Sequence, residues 1–473
     1  MDADVVIVGG GFAGLSAAQR AAELGLRALV LEQGAQADYA CNSRVTGGIV
    51  HFAREGMMEP TAVLVDKAMQ MTGGELNREL LAAMAGEARR CIEWLRAQGM
   101  KFVRIGPQLH YEWVLAPVRV ARPGLEASGW KGRAGDTLLR LLTANFTRRG
   151  GQLLLDSRVT GLVFEDGRCI GVEATTQGRP TQYRAPAVVM ADGGFQADDE
   201  LVRRFISPHP EKLLRRNAGS GRGDALKMME HAGARLVGTK YFYGHLHSRD
   251  ALNNASLWPY PALDSLAVAG IVVNGRGERF ADEGLGGVYL ANAIAWSEDP
   301  LDTWVIFDED IWRGPGKGEL FFIAANSRLV DAKGTIFKAD TLEALESAAG
   351  FPSGRLRASV DAHNAALAAG QTGAMQPPRS SGVNRPIAIR SKPFYAVPMC
   401  AGLTFTMGGA AVDSGLRVLK GDNSPIPGLY AVGKSLGGLE GGAPAGYVGG
   451  ISLPVITGLR AAEAIAQANG KVA

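Results

Sequence analysis

The amino-acid sequence predicts an α/β protein built around a parallel, nucleotide-binding β-sheet. Three observations predict this fold class: a β-branched run at residues 5–8, a glycine-rich turn directly after it, and an alanine-rich helical pattern after the turn. The composition of 46% apolar and 21% charged residues is typical of a folded globular chain. With 473 residues, the chain has room for about three domains, or for two large ones.

The glycine-rich turn has the spacing of a dinucleotide-binding motif. Gly9, Gly11 and Gly14 form the pattern GxGxxG after the predicted strand. A helix is expected from Ala13 to about Leu24. Gly9 permits the sharp turn, Gly11 lets a pyrophosphate approach the backbone, and Gly14 lets the helix pack closely on the sheet. The first turn of this helix is therefore expected to face the phosphates of a nucleotide.

A second strand and an acidic residue complete the motif. The strand at residues 28–31 ends in Glu32, which lies 18 residues after Gly14, where an acid commonly holds a ribose hydroxyl group. A glutamate at this position rejects a 2′-phosphate. These features predict a Rossmann-like domain that binds FAD or NAD, two dinucleotides that share this first turn. No second GxGxxG follows a strand, so no separate NAD(P)H domain is expected.

Charge, cysteine and hydropathy patterns exclude several functional classes. Lys and Arg total 50 against 47 for Asp and Glu, and the net charge of +3 leaves no basic surplus for binding nucleic acid. The four cysteines form no CxxC pair, which argues against a metal site, a c-type haem and a disulfide framework. Because neither a signal peptide nor a membrane-spanning run is recognisable, a cytoplasmic protein without a membrane segment is expected. The cysteines are Cys41, Cys91, Cys169 and Cys400.

The segment after Glu32 resembles a known family. Residues 33–53 resemble the segment beneath the flavin ring in the flavoprotein subunits of fumarate reductase and succinate dehydrogenase. The motifs GYVGG and RFADEG are similar to those of ketosteroid dehydrogenase-like and tricarballylate dehydrogenase-like members. Further family-like segments are residues 152–174, a hairpin turning at Asp166 and Gly167, and residues 187–195, 217–236, 404–413, 426–438 and 446–465.

The resemblance implies non-covalently bound FAD as the cofactor. It also implies that the last helix, which begins near Ser452, points its N-terminus at the flavin, and that Val159 contacts the adenine through its backbone. The cofactor contacts expected from motif and resemblance are Gly9, Gly11, Phe12, Ala13, Gly14, Glu32, Gln33, Cys41, Asn42, Ser43, Thr46, Gly47, Gly48, Val159, Ala191, Asp192, Gly193, Gly433, Lys434, Gly450, Ser452 and Leu453.

The resemblance further implies a split domain organisation. A glutathione-reductase-type FAD-binding domain would comprise residues 1–247 and 394–473, with an α+β capping domain inserted at residues 248–393. The apolar run GIVVN, which ends at Asn274, predicts a strand in this cap. The Gly-, Pro- and Ser-rich stretch at residues 370–382 predicts a linker at its end.

In the resembling family, a hydride moves between flavin N5 and a substrate carbon while an acid or base handles a proton on the neighbouring carbon. The family's substrate-binding histidine falls on His245. Its second histidine is lost, because Thr404 and Phe405 stand there instead, and its substrate arginine is lost within residues 445–447. A cavity poor in cations is therefore expected, which disfavours fumarate and succinate because charge-assisted hydrogen bonds would be missing.

The predicted cap departs from the family in the same way. Its segment GERFADEGLGG keeps Arg279 and Glu283, but Gly286 and Gly287 lie where the family's proton-donating arginine would be. In the preceding part of the family's proton route, Asp264 is the one acid within LDSL.

Two tyrosines are the remaining candidates for proton transfer. Tyr447 lies just before the last helix and Tyr289 follows the glycine pair of the cap, an arrangement similar to ketosteroid dehydrogenases, where tyrosines polarise a ketone and abstract a proton. A phenol with a pKa near 10 can donate a hydrogen bond at neutral pH but needs help to act as a base. Packing of the tyrosines and an Arg279–Glu283 ion pair are the structural alternatives. The catalytic candidates are Tyr447, Tyr289, His245 and Arg279.

Together these features predict an FAD-dependent oxidoreductase that acts on a CH–CH or C=C unit beside a ketone or carboxylate. A ketone or enone is favoured over fumarate as the substrate, and the sequence does not specify the electron acceptor. Alternatives are an electron-transfer flavoprotein subunit that needs a partner protein, a tricarballylate-type carboxylate dehydrogenase, and an amine or amino-acid oxidase.

Overall fold

The computed structural model describes residues 3–119, 129–317, 325–382 and 384–471. Its strands are β1 (Val5–Val8), β2 (Ala28–Leu31), β3 (Ile49–Val50), β4 (Lys101–Val103), β5 (Trp113–Ala116), β6 (Gln152–Leu154), β7 (Ser157–Glu165), β8 (Arg168–Thr176), β9 (Arg179–Arg184), β10 (Val188–Met190), β11 (Leu214–Arg215), β12 (Leu236–Val237), β13 (Phe242–Ser248), β14 (Ile271–Asn274), β15 (Thr303–Asp308), β16 (Phe337–Ala339), β17 (Phe394–Thr406), β18 (Gly409–Ala410), β19 (Arg417–Leu419) and β20 (Pro425–Ala431). Its α-helices are α1 (Phe12–Glu23), α2 (Thr61–Met71), α3 (Arg78–Ala85), α4 (Ala88–Ala97), α5 (Ala134–Arg148), α6 (Asp199–Phe205), α7 (Asp224–His231), α8 (Asp264–Ala269), α9 (Gly287–Ala295), α10 (Glu309–Arg313), α11 (Ala325–Asp331), α12 (Leu342–Ala349), α13 (Arg355–Ala368) and α14 (Ser452–Ala468). Short 3₁₀ turns are formed by Leu109–Tyr111, Pro210–Lys212, Arg249–Leu252, Ala255–Leu257, Glu283–Leu285, Pro315–Lys317 and Thr372–Ala374.

A largely parallel sheet forms the nucleotide-binding half of the fold. Its strand order is β19-β20-β10-β1-β2-β6, and only β19 runs antiparallel to its neighbour. The last residues of β1, β2 and β10 are in register, so the chain leaves the sheet at one edge through Gly9, Glu32 and Ala191. Because β2 and β10 lie on opposite sides of β1, their connections diverge and leave a crevice at this edge, where α/β sheets bind ligands.

Close packing holds the first helix on this sheet. A Cβ added to Gly14 would lie 2.0 Å from the carbonyl oxygen of Gly9, so no larger residue fits there. Helix α14 packs on the other side of α1, where a Cβ at Gly458 would lie 2.5 Å from the carbonyl oxygen of Ala13. The predicted order of strand, turn and helix is confirmed, with α1 beginning one residue earlier than expected.

The second sheet is built on the long strand β17. This strand pairs with β11 in parallel and with β13, β15 and β16 in antiparallel orientation, while β14, the predicted GIVVN strand, pairs with β15. The hydrophobic core of this half draws on residues from Phe195 to Leu403. The domain boundaries at residues 248 and 393 therefore stay a prediction, and the core itself extends beyond both.

Two smaller predictions have different outcomes. The hairpin expected from Gln152 is formed by β7 and β8, with Asp166 and Gly167 in its turn, whereas β6 joins the parallel sheet beside β2. The stretch at residues 370–382 is mostly exposed, as expected of a linker, but it is anchored at a buried residue. Its Arg379 is fully buried and donates hydrogen bonds to the carbonyl oxygens of Val268 and Asn384.

A buried ion pair fixes the segment of residues 41–48 against the parallel sheet. The guanidinium group of Arg44 contacts the carboxylate of Asp136 at the start of α5, and both side chains are buried. Burial works to raise the pKa of Asp136, but the Gly132 N–H, Arg140 and Arg44 outweigh it and hold this pKa below its usual value. The carboxylate is therefore ionised at neutral pH.

Among the described helices, none combines the length and apolar character that a membrane crossing needs.

We predict that Asp136→Asn lowers the free energy of unfolding by about 3–5 kcal/mol, because it leaves the buried Arg44 without a counter-charge. The matched control is Asp66→Asn, which removes an ion pair with Arg78 whose side chains are 66% and 61% exposed and should cost about 1 kcal/mol or less. Urea unfolding of the two variants measures the difference. Equal losses would contradict a structural role for the Arg44–Asp136 pair.

Candidate functional site

A cavity of 510 Å³ opens at the carboxyl edge of the parallel sheet and is lined by residues of both halves of the fold. The predicted residues that line it are Gly11, Phe12, Ala13, Glu32, Gln33, Cys41, Asn42, Ser43, Thr46, Gly47, Gly48, Ala191, Asp192, Gly193, His245, Gly433, Lys434, Tyr447 and Gly450. The predicted residues outside its lining are Gly9, Gly14, Val159, Arg279, Tyr289, Ser452 and Leu453. The structure thus brings most of the expected cofactor residues together, and their individual contacts stay predictions.

Acidic residues lie at the strand ends that line this cavity. Glu32 accepts hydrogen bonds from the backbone N–H groups of Gly10 and Gly34, each at 2.8 Å, and its burial raises its pKa. Asp192 accepts from Ala225 N and Ser435 Oγ, both at 2.9 Å, and burial raises its pKa to about 7. Hydrogen bonds to neighbouring backbone and side-chain groups therefore hold both carboxyl groups in place at the wall of the cavity.

The cavity fits a flavin dinucleotide. The N-terminus of α1 opens onto it, with the Phe12 N–H donating to Ser43 Oγ at 3.0 Å. A Cβ added to Gly47 or Gly193 would meet no atom within 4 Å, although both residues line the cavity. Glycines that face open space leave room for a group that approaches the backbone closely.

An ion pair orders the loop before α14. Lys434 Nζ contacts Glu440 and lies 4.4 Å from the ring centroid of Phe405. The other oxygen of Glu440 accepts hydrogen bonds from Val448 N at 3.0 Å and Gly449 N at 2.9 Å. Lys434 therefore lines the cavity as the partner of an internal acid, and its charge is already balanced.

Three side chains form a hydrogen-bonded line that ends at the cavity. The hydroxyl of Tyr243 lies 2.9 Å from His245 Nε2, and His245 Nδ1 lies 3.0 Å from Asp264 Oδ1. The second carboxylate oxygen of Asp264 accepts from Leu246 N at 3.1 Å. Tyr243 and His245 share one face of β13 because side chains alternate along a strand. We refer to Tyr243, His245 and Asp264 as the proton line.

The glycine at the start of α9 makes room for this line. A Cβ at Gly287 would lie 1.9 Å from Asp264 Oδ1, so the carboxylate lies directly against the helix N-terminus, where the helix dipole favours a negative charge. Burial works to raise the pKa of Asp264, but His245 and the Leu246 N–H outweigh it and lower this pKa. The line therefore ends in an ionised carboxylate at neutral pH.

Aromatic rings pack against the ring of Tyr243. Its ring centroid lies 4.2 Å from that of Tyr447 and 4.9 Å from that of Phe405, which replaces the histidine of the resembling family. Tyr447 lines the cavity, and its hydroxyl accepts a hydrogen bond from Gly450 N at 2.9 Å. Burial raises the pKa of Tyr243 to about 12 and raises the pKa of Tyr447 well above its ordinary value. Both phenols are thus protonated at neutral pH.

The structure does not bring two catalytic candidates to the cavity. Arg279 donates to Glu283 at 3.0 Å and to the carbonyl oxygen of Pro377 at 2.9 Å, and its side chain is buried. Tyr289 is half-buried against the hydrophobic core of the second sheet. Arg279 is thus the partner of an internal acid, and Tyr289 packs against the core. These surroundings match the structural alternatives, an ion pair and packing, better than a catalytic role.

The sequence-based reasoning also missed residues of the site. Tyr243 could have been predicted from the sequence, because it lies two residues before His245 and that spacing puts both side chains on one face of a strand. Arg119 and Arg216 line the cavity, so the expectation of a cavity poor in cations was wrong. No motif marked these arginines, since they come from distant parts of the sequence that meet only in the folded chain.

Comparisons with known proteins support the predicted fold and cofactor. The sequence profile of the family described as FAD binding domain matches residues 4–453. The NADH:fumarate oxidoreductase of Klebsiella pneumoniae is 25% identical over 93% of this chain, and the NADH:acrylate oxidoreductase of Vibrio harveyi is 26% identical over 77%. The chain spans 45% and 34% of the length of these two relatives.

A solved structure shares the fold. The 3-ketosteroid Δ1-dehydrogenase of Sterolibacterium denitrificans superposes with a TM-score of 0.73 at 20% identity, and the match covers 98% of this chain and 99% of that one. The predicted α/β fold of the fumarate reductase and ketosteroid dehydrogenase group is therefore confirmed.

We predict that Gly47→Val prevents FAD binding without destabilising the apoprotein, because Gly47 lines the cavity and an added Cβ would meet no atom within 4 Å. Gly421→Val is the matched control, since Gly421 is exposed, also has no atom within 4 Å of an added Cβ, and lies outside the cavity. Flavin absorbance of the purified variants and thermal unfolding of their apoproteins measure the two effects. Full flavin occupancy in Gly47→Val would contradict the placement.

The buried histidine His247 generates a pH prediction. Burial lowers its pKa from 6.5 to about 3, so the unfolded chain takes up a proton below pH 6.5 that the native state does not bind. Stability is therefore lost as the pH falls, by about 1.4 kcal/mol per pH unit. Between pH 6.5 and about pH 5, urea unfolding should show that the wild type loses roughly 2 kcal/mol more than His247→Phe. Parallel pH curves would contradict this.

Proposed function

The chain belongs to the FAD binding domain family and FAD is therefore its cofactor, and from this premise we propose that it is an oxidoreductase acting on carbon–carbon bonds. The substrate has a CH–CH or C=C unit beside a ketone or carboxylate. When bound, FAD supplies the acceptor or donor of a hydride. The relatives named for fumarate and acrylate support this class, because both compounds are carboxylates with a C=C bond. The observation that carries the proposal is the proton line beside the cavity.

The charge of Asp264 sets the direction of each hydrogen bond in the proton line. An ionised carboxylate only accepts, so His245 Nδ1 carries a proton and donates it to Asp264. In the neutral imidazole, Nε2 of His245 then keeps its lone pair and accepts a hydrogen bond from the hydroxyl of Tyr243. Tyr243 thus points its proton at His245 and leaves its oxygen lone pairs for the cavity.

This arrangement lets Tyr243 act as a base in the direction of dehydrogenation. Its oxygen takes a proton from a substrate carbon while its own proton moves to His245 Nε2. The imidazolium that forms is stabilised by the Asp264 carboxylate, as in other relays where an acid orients a histidine. In the direction of reduction the same protons move back, and Tyr243 donates to the carbon. A buried phenol with a pKa of about 12 needs such a partner to act as a base at neutral pH.

Tyr447 holds the activating oxygen of the substrate in this proposal. Its hydroxyl oxygen accepts from Gly450 N, so its own proton is available to a ketone or carboxylate oxygen. A donor that is already positioned can stabilise the negative charge that develops on that oxygen during the reaction. Tyr447 thus stays one of the two tyrosines of the proposal, as predicted from the sequence, and Tyr243 replaces Tyr289 as the other.

We predict that the FAD-loaded protein changes its flavin absorbance anaerobically with members of a panel of enones, saturated ketones and unsaturated carboxylates. Oxidised protein should be bleached by saturated substrates, and chemically reduced protein should be reoxidised by unsaturated ones. A flavin that responds to none of these compounds until a partner protein is added would contradict the proposal and favour an electron-transfer subunit.

The proton line is tested with the substrate found in this way. Tyr243→Phe and Asp264→Asn should each lower the rate of flavin reduction about 10²- to 10⁴-fold, with flavin occupancy unchanged. Gly287→Ala should also lower it, because the added Cβ would displace Asp264 without removing a proton-carrying group. Asp361→Asn, at a side chain 63% exposed on α13, is the matched control. Wild-type rates in Tyr243→Phe would contradict the mechanism.

A further inference from the structure

Arg216 has a charge that the described residues do not balance. Its backbone N–H donates to the carbonyl oxygen of Leu403 at 3.0 Å, which ties it to β17. Its guanidinium group donates to Thr404 Oγ1 at 3.2 Å and to the carbonyl oxygen of Pro259 at 3.5 Å, and lies 5.3 Å from the ring centroid of Tyr260. Within the part of the chain that the structure describes, these neutral groups are its contacts, and no carboxylate forms an ion pair with it.

Two other cations that line the cavity are paired with acidic side chains, and a third lies near Arg216. Arg44 is paired with Asp136, and Lys434 is paired with Glu440. Arg119 lines the same cavity as Arg216, and burial together with the charge of Arg216 lowers its pKa. Two guanidinium groups that repel each other in a partly buried space cost free energy, and a bound anion would offset this cost.

The charge of Arg216 also acts on the proton line. Burial raises the pKa of Tyr243, and Arg216 is the largest of the influences that lower it again. Arg216 and Tyr243 also line the same cavity, in which substrate is expected. A ligand held by Arg216 would therefore share its cavity with the hydroxyl of Tyr243.

Apolar and aromatic groups complete this part of the lining. Trp258 and Pro259 come from the loop before α8, and Ile105, Val118 and Trp130 come from the first half of the chain. Such surfaces bind the body of a hydrophobic or ring-shaped ligand, while one fixed cation orients its polar group.

We propose that Arg216 binds a carboxylate group of the substrate, and that the substrate is a carboxylate with an apolar or cyclic body. This inference rests on the proposed function, because it places the anion beside the proton line. It differs from the carboxylate clamp of the resembling family, whose histidine and arginine positions are Phe405 and residues 445–447 in this chain. A guanidinium group suits this ligand because it can make two parallel hydrogen bonds to a carboxylate.

Calorimetric titration of the FAD-loaded protein with cyclohexanecarboxylate and with cyclohexanecarboxamide tests the proposal. The two probes share a ring and differ in charge, so the carboxylate should bind about 10-fold tighter or more. Arg216→Gln should weaken carboxylate binding about 10- to 100-fold and abolish the preference over the amide, with flavin occupancy unchanged. Arg216→Lys, which keeps the charge without the fork of donors, should retain part of the preference.

Arg222→Gln is the matched control, because it removes one positive charge from an exposed position on the same loop outside the cavity. Equal binding of both probes by the wild type, or no binding of the carboxylate, would overturn the proposal. Loss of flavin from Arg216→Gln with unchanged carboxylate affinity would also overturn it, and would assign Arg216 to a cofactor phosphate. The titration measures binding without turnover. Failure of the proposed oxidoreductase activity in the flavin-reduction experiment can therefore be distinguished from failure of carboxylate binding at Arg216.

Discussion

The alignment of three parallel strand ends is the constraint on which the rest of the structure depends. Because β1, β2 and β10 end in register, Gly9, Glu32 and Ala191 leave the sheet together and surround one crevice. The contact of Gly14 with the carbonyl oxygen of Gly9 then holds α1 so that its N-terminus opens onto the same space. The dinucleotide site predicted from the sequence is consistent with these two features, since the N-terminus of a helix and an acid meet at one edge.

The second sheet supplies chemistry to a cavity that the first sheet creates. Strand β17 pairs with β13 and with β11, and in this way it brings Tyr243, His245 and Arg216 to the cavity that the nucleotide motif lines. Arg216 directly follows the short strand β11, and its backbone N–H donates to the carbonyl oxygen of Leu403 in β17. Strand β13 carries Tyr243 and His245 of the proton line. The lining of the cavity therefore comes from both halves of the fold.

The cations discussed above differ in whether an acidic side chain balances their charge. Arg44, Arg279 and Lys434 each have an acidic partner, so their charges are used in holding loops and turns in place. Arg216 contacts only neutral groups among the described residues. Arg216 is half-buried, and an unpaired charge that is removed from water costs free energy. The same reasoning separates Asp136, which serves the fold, from Asp264, which orients a histidine.

The sequence by itself determined the nucleotide half of this protein. Strand, glycine turn, helix and acid are consecutive or nearly so, and their spacing is fixed by backbone geometry that any reader of the chain can recognise. Only the tertiary structure decided the substrate half. His245 and Asp264 are 19 residues apart, and Arg216 and Thr404 are 188 apart, so their contacts depend on strand register and on the helix packing that surrounds them. Local patterns cannot encode those distances, which is why Tyr289 and Arg279 were chosen from the sequence and Tyr243 and Arg216 emerged from the fold.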